Sequence, residues 1–250
     1  YIGKTMKTTI LQMDIAWGDC QGNVRRADAM IDNAPEADLY ILPEMFSTGF
    51  AADPEGMAES ENGKTVEWMR RKAVAKDAAI AGSLAIRSGG RYFNRLYFVK
   101  PDGEVTTYDK RHLFSYAGEN LHYTRGEERV IVEWRSVRIM LQVCYDLRFP
   151  VFSRNHGDYD MIIYVASWPT SRINARALEN QCYVAGVNRV GRDPNCEYCG
   201  NSLIISPYGE DFAVCGSGEE SAKMAEIDME MLRSFRKKFP VIDDADIIHG

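Results

Sequence analysis

Three side chains that together could perform acyl transfer each follow an apolar, strand-like run of the sequence. Glu44 follows LYILP, Lys110 follows TTYD, and Cys144 follows VRIMLQV. Short apolar runs rich in β-branched residues are typical of buried strands. Ligand crevices of α/β sheets form at the carboxyl ends of strands, so residues remote in sequence can meet there. A thiol, a carboxylate and an amine at one such edge would suit hydrolysis through a covalent acyl-enzyme intermediate.

Each of these side chains has a chemical role in this interpretation. Cys144 would be the nucleophile, and the ammonium group of Lys110 would favour its thiolate form. Glu44 would act as general base and then as general acid if burial raised its pKa towards neutrality. Lys110 and the backbone N–H of Tyr145 would bind the oxyanion of the tetrahedral intermediate.

Ordinary structural roles are the alternative for each residue taken alone. Free cysteines are among the most buried residue types, and charged side chains at strand ends are usually solvated. His112 offers a Cys/His pair instead, although we favour a structural hydrogen bond for this histidine. Cys196 and Cys199 form a CxxC pair in a Gly-, Pro- and Asn-rich loop, without a second pair at metal-ligand spacing. We interpret this pair as incidental and expect no metal and no organic cofactor.

The remaining pattern alternates strands with helices and predicts a layered α/β sandwich. Helices are expected over 21–34, 64–78, 173–186 and 229–239, with Asn23 as a candidate N-cap of the first. Apolar strand-like runs, separated by turn residues, lie between these helices. This order indicates a mixed pair of sheets covered by helices. No repeat or linker interrupts the pattern, so we expect a single domain over the whole chain.

Composition and charge restrict the partners and the location. The chain has 250 residues, 45% of them hydrophobic, and a formal net charge of −6. An acidic chain without a block of like charges argues against nucleic acid or an anionic membrane as partner. No apolar run has the length of a membrane-spanning helix, and the six cysteines are too dispersed for a disulfide framework. We therefore expect a cytoplasmic protein, with residues 1–5 an added segment before a natural start at Met6.

The segments PEMFSTGF, YDKRHLF and CYDLRFP resemble, in that order, motifs of the nitrilase or carbon–nitrogen hydrolase superfamily. The resemblance continues through YVASWPTSR, ALENQCYVAGVNRVG and YCGNSLIISPYGE, so it covers nearly the whole chain. It implies a four-layer αββα sandwich that forms a homodimer or a larger assembly, with Glu44, Lys110 and Cys144 as catalytic triad. Glu119, in the segment SYAGENLHYTRGE, matches a second family glutamate that orients the lysine.

Within this superfamily, PEMFSTGF and the short length are similar to the small omega-amidases. This resemblance implies hydrolysis of the terminal amide of 2-oxo acid amides such as 2-oxoglutaramate, with water as co-substrate and ammonia as product. The first alternative is another amidase of the superfamily, acting on deaminated glutathione or on N-carbamoyl compounds. A nitrilase would use the same three residues. The last alternative is a binding protein without activity on the same scaffold, because fold alone does not secure function.

Aromatic residues near the three catalytic candidates could form the substrate pocket. Family members use aromatic residues at the places that match Tyr116 and Trp168, so the resemblance implies that both form pocket walls. Tyr145 would contribute its backbone N–H. We expect Met45 and Phe46 to pack in the core rather than contact the substrate.

Two arginines could bind an anionic group of the substrate. Arg148 lies four residues after Cys144 and could bind a distal carboxylate in bidentate fashion, or it could form an ion pair with a structural acid such as Asp146. Arg172 could bind an anionic substrate or tie down a loop. The C-terminal stretch 235–250 resembles a family tail that often packs at a subunit interface.

Overall fold

Two β-sheets and a short hairpin make up the strands of the molecule. The computed structural model describes residues 5–168 and 173–244. In chain order the strands are β1 (Thr5–Gln12), β2 (Leu39–Ile41), β3 (Glu59–Ser60), β4 (Ala79–Ser88), β5 (Arg91–Val99), β6 (Val105–Asp109), β7 (Ile131–Trp134), β8 (Val137–Val143), β9 (Met161–Ala166), β10 (Tyr183–Asn188), β11 (Val190–Arg192), β12 (Glu197–Cys199), β13 (Leu203–Ile205), β14 (Asp211–Val214) and β15 (Ser221–Asp228). The first sheet has the order β15-β1-β2-β4-β5-β6, with β3 paired to β4 beside this path. The second sheet has the order β14-β13-β10-β9-β8-β7, and β11 pairs with β12 in the hairpin.

The helices are α1 (Cys20–Asn33), α2 (Lys64–Lys76), α3 (Glu119–His122), α4 (Asn174–Asn180) and α5 (Met229–Lys238). Helices α1, α2 and α4 cover the outer faces of the sheets, whereas α5 contributes Met229 and Leu232 to the apolar cluster between them. Helices α1 and α2 pack on the first sheet through an apolar cluster that includes Ile31, Met69 and Leu11. Helix α4 packs on the second sheet through Ala177 and Ile162. Within the described residues, none of the helices combines the length and the hydropathy of a membrane-crossing segment.

The inner faces of the two sheets form the main core. Ile10 and Leu96 from the first sheet and Leu141 and Ile163 from the second are fully buried in one apolar cluster. Strands that are buried on both faces have nearly continuous apolar sequences, which explains why VRIMLQV and MIIYVA show no polar alternation. The layers follow the order helix, sheet, sheet, helix, so the predicted four-layer αββα sandwich is confirmed.

The helix predicted over 173–186 is wrong in its second half. Helix α4 ends at Asn180, and Gln181 adopts a left-handed conformation with φ of 40°. The backbone N–H of Gln181 donates to the carbonyls of Ala177 and Leu178 and so closes the helix. The residues that follow form strand β10, which pairs with β9. Pairing with a buried neighbouring strand therefore overrides the helical pattern of these residues.

The cap predicted for the first helix is also wrong. Asp19 is the N-cap of α1, and its carboxylate accepts from the N–H of Gly22 at 2.9 Å. Asn23 lies inside the helix and is fully buried. Its side-chain amide donates to the carbonyls of Ala16 and Ser47 at 2.7 and 2.8 Å. This asparagine therefore anchors the loop before the helix instead of capping it.

Strand direction brings several carboxyl ends to the same side of each sheet. Strands β8, β9 and β10 are parallel neighbours in the second sheet. Strands β1, β2 and β4 are parallel neighbours in the first. Strand β6 runs in the direction of β4 because both are antiparallel to β5. The segments that follow β2, β6, β8 and β9 can therefore meet.

Candidate active site

Four of the residues predicted from the sequence to be catalytic lie at one end of the sandwich. Glu44 lies shortly after β2, Lys110 directly after β6 and Cys144 directly after β8, whereas Glu119 begins helix α3. Hydrogen bonds and electrostatic interactions connect all four side chains. The strand ends therefore meet as the sequence predicts.

The segment that carries Glu44 is held against strand β4. The backbone N–H of Met45 donates to Ser83 Oγ at 2.9 Å. Gly82 permits this close approach, because a Cβ atom at that position would lie 3.0 Å from Phe46 Cδ1. Met45 and Phe46 are fully buried in apolar clusters, as expected of packing residues.

Glu44, Lys110 and Glu119 form a buried cluster of charges. Lys110 Nζ donates to Glu44 Oε1 at 2.9 Å, and to Glu119 Oε2 and Oε1 at 2.9 and 3.2 Å. All three side chains are fully buried. Buried charges persist when they are paired and hydrogen-bonded, and here one ammonium group is shared by two carboxylates. Lys110 is thereby fixed in position by both of its partners.

Burial and mutual charge set the protonation of the cluster. Burial, aided by the charge of Glu119, raises the pKa of the Glu44 carboxyl despite the opposing effect of Lys110. Burial opposes the charge of Lys110, but Glu119 and Glu44 raise the pKa of its ammonium group well above the usual value. Burial and the nearby charge of Glu44 raise the pKa of the Cys144 thiol well above its usual value. The resting nucleophile is therefore a neutral thiol that needs a base.

Asn94, on strand β5, is a polar partner of the cluster that sequence reasoning missed. Its Nδ2 donates to Glu44 Oε1 at 2.8 Å and to Glu119 Oε1 at 3.0 Å. The side chain is buried, so each of its N–H groups serves one carboxylate. A single asparagine in the apolar strand RYFNRLYFV is the only sign of it in the sequence.

Cys144 stands on a sharp turn between strand β8 and a 3₁₀ turn over Cys144–Arg148. Its φ is 46°, in the left-handed region that residues other than glycine rarely adopt. Such strained conformations concentrate at functional sites. The backbone N–H of Tyr145 belongs to the first turn, where N–H groups have no partner within the helix. The turn therefore presents both the thiol and a free backbone donor at the strand end.

The carboxylate of Asp146 stabilises this turn through hydrogen bonds. Its Oδ2 accepts from Tyr108 Oη at 2.7 Å and from the N–H of Val143 at 3.0 Å. Its Oδ1 accepts from the N–H of His112 at 2.9 Å and lies 2.8 Å from His112 Nδ1. His112 also stacks on Phe149, with ring centroids 3.8 Å apart. His112 therefore forms structural hydrogen bonds, as we predict from the sequence.

Replacing Asp146 by alanine is expected to lower the free energy of unfolding by about 3 kcal/mol or more. The change leaves three buried or partly buried donors without an acceptor, and each such loss costs about 1–3 kcal/mol. Urea denaturation measures the effect. Glu104→Ala is the control, because this exposed carboxylate bonds Lys100 on the surface and such pairs contribute little. Equal losses for both variants would contradict the role of Asp146.

Ser167, directly after strand β9, connects the nucleophile with the carboxylate. Its backbone N–H donates to Glu44 Oε2 at 2.9 Å, and its carbonyl accepts from Cys144 Sγ at 3.9 Å. Its hydroxyl also donates to the carbonyl of Glu44 at 3.3 Å. The two reacting side chains therefore contact the backbone of the same residue, Glu44 through its N–H and Cys144 through its carbonyl.

A small cavity opens beside Cys144. The residue that bears the sulfur is 7% exposed, and the cavity beside it is narrow, with a volume of about 20 Å³, enough for about one water molecule. Its described walls are mainly apolar, with two asparagines and one arginine: Leu147, Arg148, Tyr164, Ala166, Trp168, Ile173, Gly186, Val187, Asn188 and Asn201. Five of these residues, Leu147, Arg148, Trp168, Ile173 and Asn201, also line a wider surface cleft of about 1060 Å³. The thiol therefore lies in a narrow cavity that adjoins this cleft.

Of the two aromatic residues predicted to form pocket walls, Trp168 lines the cavity and Tyr116 does not. Trp168 lines the cavity and stacks near Tyr145, with centroids 6.2 Å apart. Phe114, which sequence reasoning missed, packs against both of these rings at 5.6 and 5.1 Å. Tyr116 is 92% exposed and contacts the ring of Phe114 at 5.8 Å. The structure therefore places Tyr116 outside the cavity wall, behind Phe114.

Arg148 lies at the rim of the cavity, with its guanidinium 4.9 Å from the centroid of the Trp168 ring. The alternative ion pair with Asp146 is wrong, since Asp146 is buried and bonds the residues beneath the turn. Residues two apart in a 3₁₀ helix point in different directions, because the helix repeats about every three residues. Arg172 and the terminal residues 245–250 lie outside the described part of the chain.

The CxxC pair lies in the hairpin rather than in an open loop. Cys199 ends strand β12 and accepts from Asn201 Nδ2 at 3.3 Å, while Cys196 precedes that strand. Over residues 5–168 and 173–244, no three side chains of the His, Cys, Asp or Glu type are grouped to hold a metal ion.

The fold and the buried cysteine site define an α/β sandwich hydrolase, and comparison with known proteins identifies its family. The carbon–nitrogen hydrolase family model matches residues 7–237. The chain therefore belongs to the carbon–nitrogen hydrolase family, of the nitrilase superfamily, as its motifs predict.

Individual relatives agree with this assignment. The chain is 46% identical to the omega-amidase YafV of Yersinia enterocolitica over 250 residues, or 97% of each chain. It is 35% identical to a 2-oxoglutaramate amidase of Bacillus subtilis, over 96% of this chain and 98% of that one. The solved structure of XC1258 from Xanthomonas campestris, a CN-hydrolase superfamily protein with an arsenic adduct in its active site, superposes with a TM-score of 0.93 at 40% identity, covering 98% of this chain and 99% of that one. The predicted class of enzyme, a C–N hydrolase, is confirmed.

Proposed function

We propose that this enzyme hydrolyses the terminal amide of small 2-oxo acid amides such as 2-oxoglutaramate, with Glu44, Lys110 and Cys144 as catalytic residues. The observation that carries this proposal is the convergence of thiol, carboxylate and ammonium beside a small cavity whose rim bears Arg148. Relatives named as omega-amidase and 2-oxoglutaramate amidase, matched over nearly their whole length, support the same substrate class.

Acylation starts from the neutral thiol and the carboxylate of Glu44. Glu44 takes the thiol proton as Cys144 Sγ attacks the amide carbon, and the carbonyl oxygen becomes an oxyanion. The ammonium of Lys110 and the N–H of Tyr145 stabilise this charge, while Glu119 holds Lys110 in place. Glu44 then gives the proton to the amide nitrogen, the C–N bond breaks, and ammonia leaves a thioester on Cys144.

Deacylation reuses the same groups and needs no cofactor. The carboxylate of Glu44 takes a proton from water as the water oxygen attacks the thioester carbon. The oxyanion again lies near Lys110 and Tyr145. The C–S bond then breaks, the sulfur of Cys144 takes the proton from Glu44, and the carboxylic acid leaves. Burial raises the pKa of Glu44, which suits a group that must both accept and donate a proton.

Arg148 is proposed to bind the carboxylate at the far end of the substrate. In Arg148→Gln we expect kcat/KM for 2-oxoglutaramate to fall roughly 10–100-fold, because a charge-assisted hydrogen bond contributes about 1.5–3 kcal/mol. The loss should appear mainly in KM, and a neutral amide of similar size should be hydrolysed as before. Ammonia release measures both substrates.

Arg192→Gln is the matched control, because this arginine is 77% exposed by side chain and pairs with Glu197 in the hairpin. An equal loss of kcat/KM for the anionic and the neutral amide in Arg148→Gln would show that Arg148 does not bind the carboxylate of the substrate.

A panel of amides tests the substrate class directly. We expect the wild-type enzyme to prefer 2-oxoglutaramate to glutamine, asparagine, an N-carbamoyl amino acid, deaminated glutathione and a simple aliphatic nitrile, as judged by kcat/KM. Differences in leaving group and in distal charge determine such preferences. A higher kcat/KM for deaminated glutathione or for an N-carbamoyl compound would replace the proposed substrate with that alternative.

We also propose a homodimer in the cytoplasm. Large apolar side chains are exposed on α4, on β14 and after α5, at Leu178, Phe212, Val214 and Phe239. Exposed apolar patches of this kind mark interaction surfaces, so a second copy of the chain is the proposed partner. All six cysteines are free thiols, which suits a reducing compartment.

A further inference from the structure

Asn188, the last residue of strand β10, binds the backbone of Trp168 on both sides of that residue. The N–H of Trp168 donates to Asn188 Oδ1 at 2.9 Å, and Asn188 Nδ2 donates to the carbonyl of Trp168 at 2.7 Å. Asn188 Nδ2 also donates to the carbonyl of Gly200 at 2.9 Å. The side chain is 3% exposed. The hydrogen bond to Gly200 is buried and the two to Trp168 are partly buried, so all three are shielded from bulk water.

These bonds continue the sheet beyond the point where its strands end. The parallel pairing of β9 and β10 ends at Ala166 opposite Asn188. Ser167 and Trp168 follow β9 and are not paired with a strand. The carboxamide of Asn188 takes the place of a strand partner, because its oxygen accepts from the N–H of Trp168 and its nitrogen donates to the carbonyl of Trp168. We call the two hydrogen bonds between Asn188 and Trp168 the clamp. Ser167 is thus held between Ala166, the last paired residue of β9, and the clamp on Trp168.

Ser167 is also the residue whose backbone contacts both reacting groups. Its N–H donates to Glu44 Oε2 at 2.9 Å and its carbonyl accepts from Cys144 Sγ at 3.9 Å. A shift of the Ser167 backbone, which joins these two peptide units, would move the base relative to the nucleophile. We propose that Asn188 is a positioning residue for catalysis, which holds the Ser167–Trp168 backbone so that Glu44 can take the proton of Cys144. This inference rests on the proposed function.

The backbone of Asn188 is itself held by hydrogen bonds to Ser202. Its backbone N–H donates to Ser202 Oγ at 2.9 Å, and Ser202 Oγ donates to the carbonyl of Asn188 at 3.0 Å. The N–H of Ser202 donates to Gln12 Oε1 at 2.9 Å. The clamp is therefore anchored in strand β1 of the first sheet, which ties the second sheet to the first at the site.

The charged and titratable groups around Glu44 stay in place when Asn188 is replaced. These groups are Lys110, Glu119, Cys144 and Tyr123. What changes is the N–H of Ser167, a neutral donor to the carboxylate. A hydrogen bond to the charged form lowers the pKa of a carboxyl group, so loss of this donor raises the pKa of Glu44. The acid limb of the kcat/KM profile then moves to higher pH.

The test compares Asn188→Leu, which is nearly isosteric, with the wild-type enzyme. We expect kcat for 2-oxoglutaramate to fall about 10²-fold, because misplacement of reacting groups by about 1 Å has this effect. KM should change little, and the acid limb should shift upwards. Alkylation of Cys144 by iodoacetamide, followed by peptide mass analysis, should slow as well and requires no substrate. Should Asn188→Leu not fold, Asn188→Ser, which offers one hydroxyl in place of the carboxamide, should give an intermediate kcat.

Asn155→Leu is the matched control. Asn155 is buried and bonds backbone groups of Tyr159 and Asn180, remote in the fold from Glu44 and Cys144. We expect it to lower stability without a change in kcat per labelled active site or in the pH profile.

Three outcomes separate the possibilities. A raised KM with unchanged kcat and pH profile in Asn188→Leu would make Asn188 a pocket wall only, and a loss of stability with unchanged kcat per site would make it structural only. Either result overturns the inference. If the wild-type enzyme releases no ammonia from any amide, the proposed function fails, and the alkylation rate of Cys144 still decides whether Asn188 positions the thiol and its base.

Discussion

Replacing Cys144 by alanine is expected to abolish ammonia release, with a loss in kcat of at least about 10⁴-fold. The covalent route requires a sulfur atom at this position, and the described cavity wall carries no second thiol. The fold should persist, because alanine meets the same left-handed φ of 46° as cysteine does and the change removes one sulfur atom, with its contacts to the Ser167 carbonyl and the Glu44 side chain. Thermal unfolding checks the fold, and ammonia release checks the activity.

The mass of the protein provides a second and independent reading of the same variant. Wild-type enzyme stopped during turnover should carry an acyl adduct on Cys144, whereas Cys144→Ala should carry none. Cys182→Ala is the matched control: this thiol is also fully buried, and it donates to the carbonyl of Arg176 at 3.9 Å. It should retain kcat and the adduct. Unchanged ammonia release from Cys144→Ala would end the proposed mechanism.

Sequence reasoning located the residues that end strands and missed those that support them. Glu44, Lys110 and Cys144 could be found because each follows a buried strand, and the carboxyl ends of parallel strands meet in space. Asn94 lies within strand β5, where its position gives no sign that it faces two carboxylates. Ser167 acts through its backbone, which no side-chain pattern can reveal.

Local errors in the predicted elements have a common cause. Residues 173–186 have helical periodicity, but Gln181 turns the chain and the next residues pair with a buried strand. Asparagine is a common residue at helix N-caps, but the side chain of Asn23 donates to the carbonyls of Ala16 and Ser47 instead. In both places contacts with remote segments outweigh local preference.

The buried cluster has a cost that follows from its composition. Two carboxylates share one ammonium group away from water, so the cluster carries an excess of one negative charge when Glu44 is ionised. A buried excess charge opposes folding. Burial accordingly raises the pKa of Glu44, and the site accepts lower stability in return for a base of suitable strength, as active sites commonly do.

Replacing Glu44 by glutamine should therefore separate activity from stability. We expect kcat to fall about 10²–10⁴-fold, the usual effect of a lost general base and acid, because Glu44 is the carboxylate that interacts with the thiol of Cys144, whereas Glu119 is bonded to Lys110. Lys110 keeps its contacts with Glu119 at 2.9 and 3.2 Å, so the fold should remain intact. Ammonia release under single-turnover conditions measures the chemical step.

The pH dependence of stability gives the sharper reading of Glu44→Gln. The pKa of Glu44 is raised in the folded protein, so protonation favours the folded state. The stability that this carboxyl contributes is present below its unfolded pKa and is lost as the pH rises through the folded value. Glu44→Gln, neutral at every pH, should therefore unfold at a higher temperature than wild type near neutral pH, with a difference that disappears in acid. A variant less stable than wild type at neutral pH, with unchanged stability in acid, would mean that the ionised carboxylate of Glu44 supports the fold through Lys110 and Asn94 more than its burial opposes it.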